Sequence, residues 1–434
     1  MTGAERPQGL TAYIAVTAAY WTFMLTDGAL RMLVLLHFHT LGFSPIQLAY
    51  LFLLYEFMGM VTNLSAGWIA ARFGLTSTLY AGLGLQIAAL IALANLDPGW
   101  ALAASVAYVM VVQGVSGIAK DLAKMSSKSA VKLLAPSGDG LFRWVAYLTG
   151  SKNAVKGAGF LIGTVLLGTL GFTASVMAMA AVLAAILVAT VLFMPGGLPR
   201  GRKGAKFREV FSTDRNVNLL SLARIFLFGA RDVWFVVGIP IYFYAVLSDG
   251  TEAGNRMAFF QIGTFMALWI IAYGAIQAWA PGLLKAKEKT TDEIVALAVR
   301  WVGALALIPA ALALCALFAG GPAAWLTVTL VAGLMGFGFV FAINSSVHSY
   351  LILAFTQHDR VTMDVGFYYM SNAAGRLIGT LLSGLSFQVG GLSLTLATAA
   401  IMAALSWLAA RRLRASGTQD QVSDTSESHT LRGS

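Results

Sequence analysis

The stretch Ala223–Ile239, ARIFLFGARDVWFVVGI, decides how this chain is read. Its apolar residues suit a membrane-spanning helix, yet it carries Arg224, Arg231 and Asp232. Arg224 and Arg231 are seven residues apart and share a helical face, with Phe228 between them. Charge deep in a bilayer is costly, so helices that keep it aim it at a partner or a water-filled path. The plainer alternative is an ion pair that only fixes packing. Arg224 has no acidic residue within its own turns, which favours the path.

Outward from that helix, the whole chain has the same character. Of 434 residues 58% are hydrophobic and 11% charged, and mean hydropathy is +0.76. Soluble domains carry roughly a quarter charged residues. Apolar runs of about twenty residues recur throughout, each long enough to cross a bilayer as a helix. The reading is an all-α polytopic membrane protein. The net charge of +10 then belongs to one membrane side and is no nucleic-acid signal. A single cysteine, Cys315, excludes a disulfide framework and a Cys-cluster metal site. No cleavable signal peptide is expected; the first span serves for targeting. No cofactor and no metal are expected.

Twelve spans are expected, near 11–39, 45–70, 75–95, 101–122, 143–170, 173–194, 217–247, 257–280, 294–319, 323–350, 365–389 and 391–411. The first carries Asp27 and Arg31, four apart and able to pair; the second carries Glu56. The fourth runs into Lys120, Lys124, Lys128 and Lys132, one basic stripe on a helix that continues past the membrane, with Lys128 and Lys132 on a solvated face. The fifth holds Lys152, Asn153 and Lys156. The ninth has Arg300 near its start, suited to snorkelling. The eleventh contains Tyr368, Asn372 and Arg376, the last roughly 18 Å along the axis at about 1.5 Å per residue.

Loop charge sets the orientation. Arg200, Arg202, Lys203, Lys206, Arg208 and Arg215 follow the sixth span, Lys285, Lys287 and Lys289 the eighth, and Arg411, Arg412 and Arg414 the last. The alternate loops hold only Arg256. Both termini are expected in the cytoplasm. Four units follow: a six-helix half over 1–194, a basic cytoplasmic linker over 195–216, a second six-helix half over 217–411, and a polar, disordered tail over 412–434. An internal repeat supports the halves. Leu161-Ile162-Gly163-Thr164 and Leu377-Ile378-Gly379-Thr380 hold equivalent places, and in that register Gly159 matches Gly375 and Phe160 matches Arg376.

Two six-helix halves joined by a basic loop resemble the plan of the major facilitator transporters, whose substrate site lies near mid-membrane between the halves. Gly67-Trp68-Ile69-Ala70-Ala71-Arg72-Phe73-Gly74 resembles that superfamily's loop motif, with Ala71 where an acidic residue is usual. Val112-Gln113-Gly114 resembles another of its motifs, with Met110 in place of the arginine. The drug antiporters' Gly-Pro pattern is missing from the fifth span.

Closer likeness lies in Tyr20-Trp21, Leu25-Thr26-Asp27-Gly28-Ala29-Leu30-Arg31-Met32-Leu33-Val34 and His37-Phe38-His39. It continues in Ser116-Gly117-Ile118-Ala119-Lys120-Asp121-Leu122, in Ser151-Lys152-Asn153-Ala154, and in Phe228-Gly229-Ala230-Arg231-Asp232-Val233-Trp234. These blocks resemble the ArsJ organoarsenical efflux permeases, over residues 12 to 410. The resemblance implies a multi-pass protein of the bacterial inner membrane that exports 1-arseno-3-phosphoglycerate and confers arsenate resistance. Glyceraldehyde-3-phosphate dehydrogenase, which makes that ester, is then its functional partner.

The residues suit such a cargo. Arg31, Lys152, Lys156, Arg224, Arg231 and Arg376 are the expected binding groups. Lys120, Lys124, Asn153, Asn372 and Tyr368 give entry or secondary contacts. Asp27, Glu56 and Asp232 offer charge pairing or coupling. Cations in excess of their partners are unstable in a membrane unless an anion visits. Arginine grips phosphate-like oxygens with two prongs, and lysine acts as a point charge. Phe226, Phe228, Trp234 and Phe235 are expected as lipid or packing contacts. His37 and His39 are read as interfacial, with a pH sensor as the other possibility, open also for His348. Gly333, Gly336 and Gly338 are expected at close helix contacts. A transporter of another organic anion, such as an organophosphate:phosphate exchanger, or a drug exporter, is the alternative. The sequence shows no nucleophile–base pair, HExxH or paired carboxylates at suitable spacing, and no nucleotide-binding Gly-rich loop.

Overall fold

Glycine decides where two of the long helices break. The computed structural model describes residues 8–134, 139–193, 212, 214–285, 288–356 and 361–414, without the side chains of 8–12, 66–68, 70, 71, 128–134, 139–150, 193 and 361–363. The helices are α1 (Gln8–Thr40), α2 (Pro45–Phe73), α3 (Leu75–Ala94), α4 (Leu102–Leu134), α5 (Asp139–Phe193), α6 (Arg215–Val233), a π turn (Trp234–Gly238), α7 (Ile239–Leu247), α8 (Glu252–Leu283), α9 (Thr291–Ala319), α10 (Ala324–Phe355) and α11 (Val361–Ala410). Gly171 in α5, at φ 74°, reverses the chain, as does Gly391 in α11, at φ 59°. Those positive angles are open to glycine at little cost. Each break divides its helix into two arms, so the twelve expected spans correspond to twelve arms, with α6, the π turn and α7 forming one. Most of the linker, the tail from 415, and the Lys128 and Lys132 side chains lie outside the described residues.

Nine helical stretches among the described residues are long and apolar enough to cross a membrane. The stretch Arg215–Leu247 stands apart. Of its most apolar window 83% is buried inside the protein, against 33–44% for the others. Its charges therefore face protein and not lipid. Leu307, Phe318, Val328 and Val389, by contrast, are exposed apolar residues that suit contact with lipid chains.

Asp214 starts α6 by accepting a hydrogen bond from the Val217 N–H at 2.8 Å. Further along, Pro240 has no N–H to continue the helical ladder, and the backbone widens into the π turn. Ser383 of α11 meets the turn's own donors: its hydroxyl accepts from the N–H groups of Val237 and Gly238, at 3.1 and 3.2 Å.

Helices α1 to α5 pack chiefly on one another, α1 on α5, α2 on α4, and α3 on both α4 and α5. Beyond them, α11 packs on α6 and α9, and α10 on α8 and α9. The pairs α5–α8 and α2–α11 join the two sets. The repeat glycines seat equivalent pairs. A methyl group at Gly159 would meet Leu25 and Ala29 of α1; one at Gly375 would meet Ile225 of α6. Gly163 likewise abuts Ala29, and Gly379 abuts Gly229. In this register Arg31 of α1 and Arg231 of α6 hold equivalent places. Gly333 closes on Leu312 and Gly338 on Trp269, whereas Gly336 has nothing within 4 Å, so only two of those three glycines serve packing.

Candidate functional site

The charged face of α6 borders a cavity of about 380 Å³ between the two helix sets. That is within the usual size of small-molecule sites, roughly 300–1,000 Å³. Its lining includes Arg31, Phe160, Phe235 and Arg376, with Lys156, Arg231, Lys124, Lys152, Arg224 and Gln277. At the end of the bundle that carries Thr40 and Pro45 the sets close together. Gly384 of α11 fits against Pro45 and Ala49 of α2, and His39 meets Tyr244 edge-on at 4.9 Å. His37 stacks on Phe172 at 4.2 Å. His348 is wholly buried in α10.

Arg31, Lys152, Lys156, Arg224, Arg231 and Arg376 all line this one cavity, as do Lys120, Lys124, Asn153 and Asn372. Tyr368 does not. It is buried, with its ring 4.9 Å from the Arg224 guanidinium carbon, and Tyr369 lines the cavity in its place.

The ion pairs differ in part from the sequence expectation. Asp27 and Arg31, one turn apart, are not partners. Asp27 lies 3.4 Å from the Lys156 ammonium and accepts the Tyr55 hydroxyl at 2.5 Å. Arg31 lies 3.2 Å from Glu56. Glu56 also pairs with Arg376, so that one carboxylate serves two guanidinium groups. Asp232 holds its neighbour Arg231 at 2.5 Å and stands 4.0 Å from Arg376. A chain of alternating charge thus runs Arg31, Glu56, Arg376, Asp232, Arg231, from α1 through α2 and α11 to α6. Glu56 and Asp232 are almost fully buried, where an unpaired carboxylate is costly.

Phe228 is no lipid contact. It is buried, with Arg224 4.2 Å from the ring centre and Arg231 4.9 Å from it. Phe341 adds a second ring at 5.5 Å from Arg231. Such cation–π contacts stabilise guanidinium groups without neutralising them. Phe235 lines the cavity, and Trp234 is fully buried against Trp269 and Phe337. Arg224 donates to the Ser345 carbonyl at 3.1 Å, and among the described residues no carboxylate lies within ion-pair distance of it. Lys120 sits 4.1 Å from the centre of the Tyr55 ring.

Several lining residues carry little sequence signal. Asn63 donates to Asp121 at 3.1 Å and accepts from Lys124 at 3.1 Å. Gln277 donates to the Ser345 hydroxyl at 3.2 Å. Asn63 follows Glu56 by seven residues and so shares its face, which is the trace that periodicity leaves. Among the described residues around the cavity, eight Lys and Arg side chains (Arg31, Lys120, Lys124, Lys152, Lys156, Arg224, Arg231, Arg376) stand beside four carboxylates (Asp27, Glu56, Asp121, Asp232). The formal excess is positive. No group of three or more His, Cys, Asp or Glu residues placed to hold a metal occurs among the described residues. Arg300 is exposed on α9, as snorkelling requires.

No family model matches the chain, and no curated protein matches it. Solved structures do. A POT family transporter in complex with 5-aminolevulinic acid superposes with a TM-score of 0.69 at 14% identity, over 94% of this chain and 96% of that one. A POT family transporter in complex with a thioalcohol conjugated peptide gives 0.67 at 13%, over 91% and 94%. A variant of the nucleoside transporter NupG gives 0.66 at 14%, over 94% and 98%. At this identity the likeness is one of fold: the chain is an all-α polytopic membrane protein that shares the fold of these transporters.

Proposed function

We propose that this transporter is a secondary-active efflux permease for a multiply charged organic anion, and that its cargo is 1-arseno-3-phosphoglycerate. The observation that carries the anionic cargo is the excess, among the described residues, of Lys and Arg side chains over carboxylates around one cavity. Arg224, held by ring faces and a carbonyl and with no carboxylate partner among the described residues, is its clearest member. A buried cation in that state is stabilised when an anion arrives. The cargo's identity rests on the ArsJ resemblance. It gains support because the blocks that carry the resemblance supply cavity residues: Arg31, Lys120 and Asp121, Lys152 and Asn153, Phe228, Arg231 and Asp232. A pentavalent arsenate ester presents phosphate-like oxygens, which guanidinium groups grip in pairs.

In this reading residues 1–194 and 217–411 are two bodies that rock about the cavity. The basic side is cytoplasmic, the membrane is the bacterial inner membrane, and glyceraldehyde-3-phosphate dehydrogenase supplies the cargo. Expression in cells lacking other arsenic exporters tests it. Resistance to arsenate should rise, resistance to arsenite should not, and the gain should vanish without the dehydrogenase. Equal protection against arsenite would overturn the ester as cargo.

A further inference from the structure

Glu56 belongs to α2, and its two partners belong to different helix sets, Arg31 to α1 and Arg376 to α11. It is wholly buried, while Arg376 faces the cavity. The pair α2–α11 is one of those that join the sets, and Gly384 brings the same two helices into backbone contact nearer the closed end. Glu56 therefore places an anion from one set on a cation of the other, beside the cavity that Arg376 lines.

We infer that Glu56 is a built-in stand-in for the cargo's anionic group, and that it permits the unladen carrier to close and return. The inference rests on the reading of the cavity as an anion site. The physical need is direct. Closing the cavity removes water from Arg31, Arg231 and Arg376, and a dehydrated cation needs an anion. With cargo bound, the cargo supplies it. Without cargo, Asp232 neutralises Arg231, and Arg376 depends on Glu56, its Asp232 contact being longer at 4.0 Å. Cargo entering the cavity competes with Glu56 for Arg376. A carrier with such a substitute returns empty and performs net export; one without it closes only when loaded and performs exchange alone.

The test uses full-length protein in lipid nanodiscs, with spin labels on cysteines introduced at Ser77 of α3 and Leu283 of α8, in a Cys315→Ser background. Both sites are exposed. Distance distributions are recorded without ligand and with 3-phosphoglycerate as the probe anion. The parent should populate both an open and a closed distance without ligand. Glu56→Gln should lose the closed population, and Glu56→Gln combined with Arg31→Gln and Arg376→Gln should regain it, because that set removes the anion together with both of its cations. The triple variant also controls for misfolding. A closed population in ligand-free Glu56→Gln equal to that of the parent overturns the inference, as does a triple variant that stays open. The probe arm tests the underlying reading separately. Restored closure of Glu56→Gln by 3-phosphoglycerate supports an organic-anion site. Charge rescue without any probe response retains the role of Glu56 and rejects that cargo class.

Discussion

Arg224, buried, and Arg376, half-buried, lie beside the same cavity, yet their removal should fail differently. Arg224 has no carboxylate among the described residues, so Arg224→Gln strands no charge. The variant should reach the membrane in normal amount and bind cargo at least about tenfold more weakly, from the loss of a charge-assisted contact of roughly 1.5–3 kcal/mol. Arg376→Ala leaves Glu56 with Arg31 alone. Breaking a buried pair costs about 3–5 kcal/mol, so folded yield should fall together with export. Arg300→Ala, at an exposed position, should change neither. Membrane-fraction blots and cargo binding on the purified variants separate these cases, and a severe loss from Arg300→Ala would break the division between cavity and surface. At this scale the sequence located the charges but mispaired Asp27. The helical i,i+4 rule offered Arg31, whereas the folded chain brings Lys156 and Tyr55, which local spacing does not record. Tyr368 and Tyr369 were exchanged for a similar reason: adjacent helical residues face about 100° apart, so a small error in helix rotation turns one in and the other out.

Among the elements, the long apolar arms were the most legible feature, because a run of about twenty apolar residues has few other uses. The repeat was legible too, and its glycines mark where α5 meets α1 and α11 meets α6. The π turn was not. It arises from Pro240 together with an acceptor, Ser383, that lies far away in sequence. Nor did the pattern of small residues separate Gly336 from Gly333, since spacing alone does not tell which face meets a neighbour. Gly375→Ala pushes a methyl group against the Ile225 carbonyl, and Gly336→Ala meets nothing within 4 Å. Overpacking of this kind costs about 1–3 kcal/mol, so thermal unfolding in detergent should fall by several degrees for Gly375→Ala and stay unchanged or rise for Gly336→Ala. Equal melting of the two would mean that the α6–α11 contact is looser than described.

For the whole molecule, the proposed orientation, which follows the positive-inside rule, has both termini and the loop at 195–216 in the cytoplasm. A reporter active only outside the cytoplasm should stay silent when fused after Gly201 and give strong signal after Gly250; the reverse pattern would invert the orientation. The chemistry of the cargo is the central claim. Trivalent arsenic is bound chiefly by thiolates, and the chain has one cysteine, half-buried in α9 away from the cavity lining. Cys315→Ser should therefore leave export intact. What the cavity does hold is an excess of Lys and Arg. Everted membrane vesicles containing the protein, supplied with dehydrogenase, glyceraldehyde-3-phosphate, oxidised cofactor and arsenate, measure this most directly. Arsenic should accumulate only when all four are present and should stop when any one is left out. Equal uptake of free arsenate without the dehydrogenase would contradict the ester as cargo and leave a carrier of simple oxyanions.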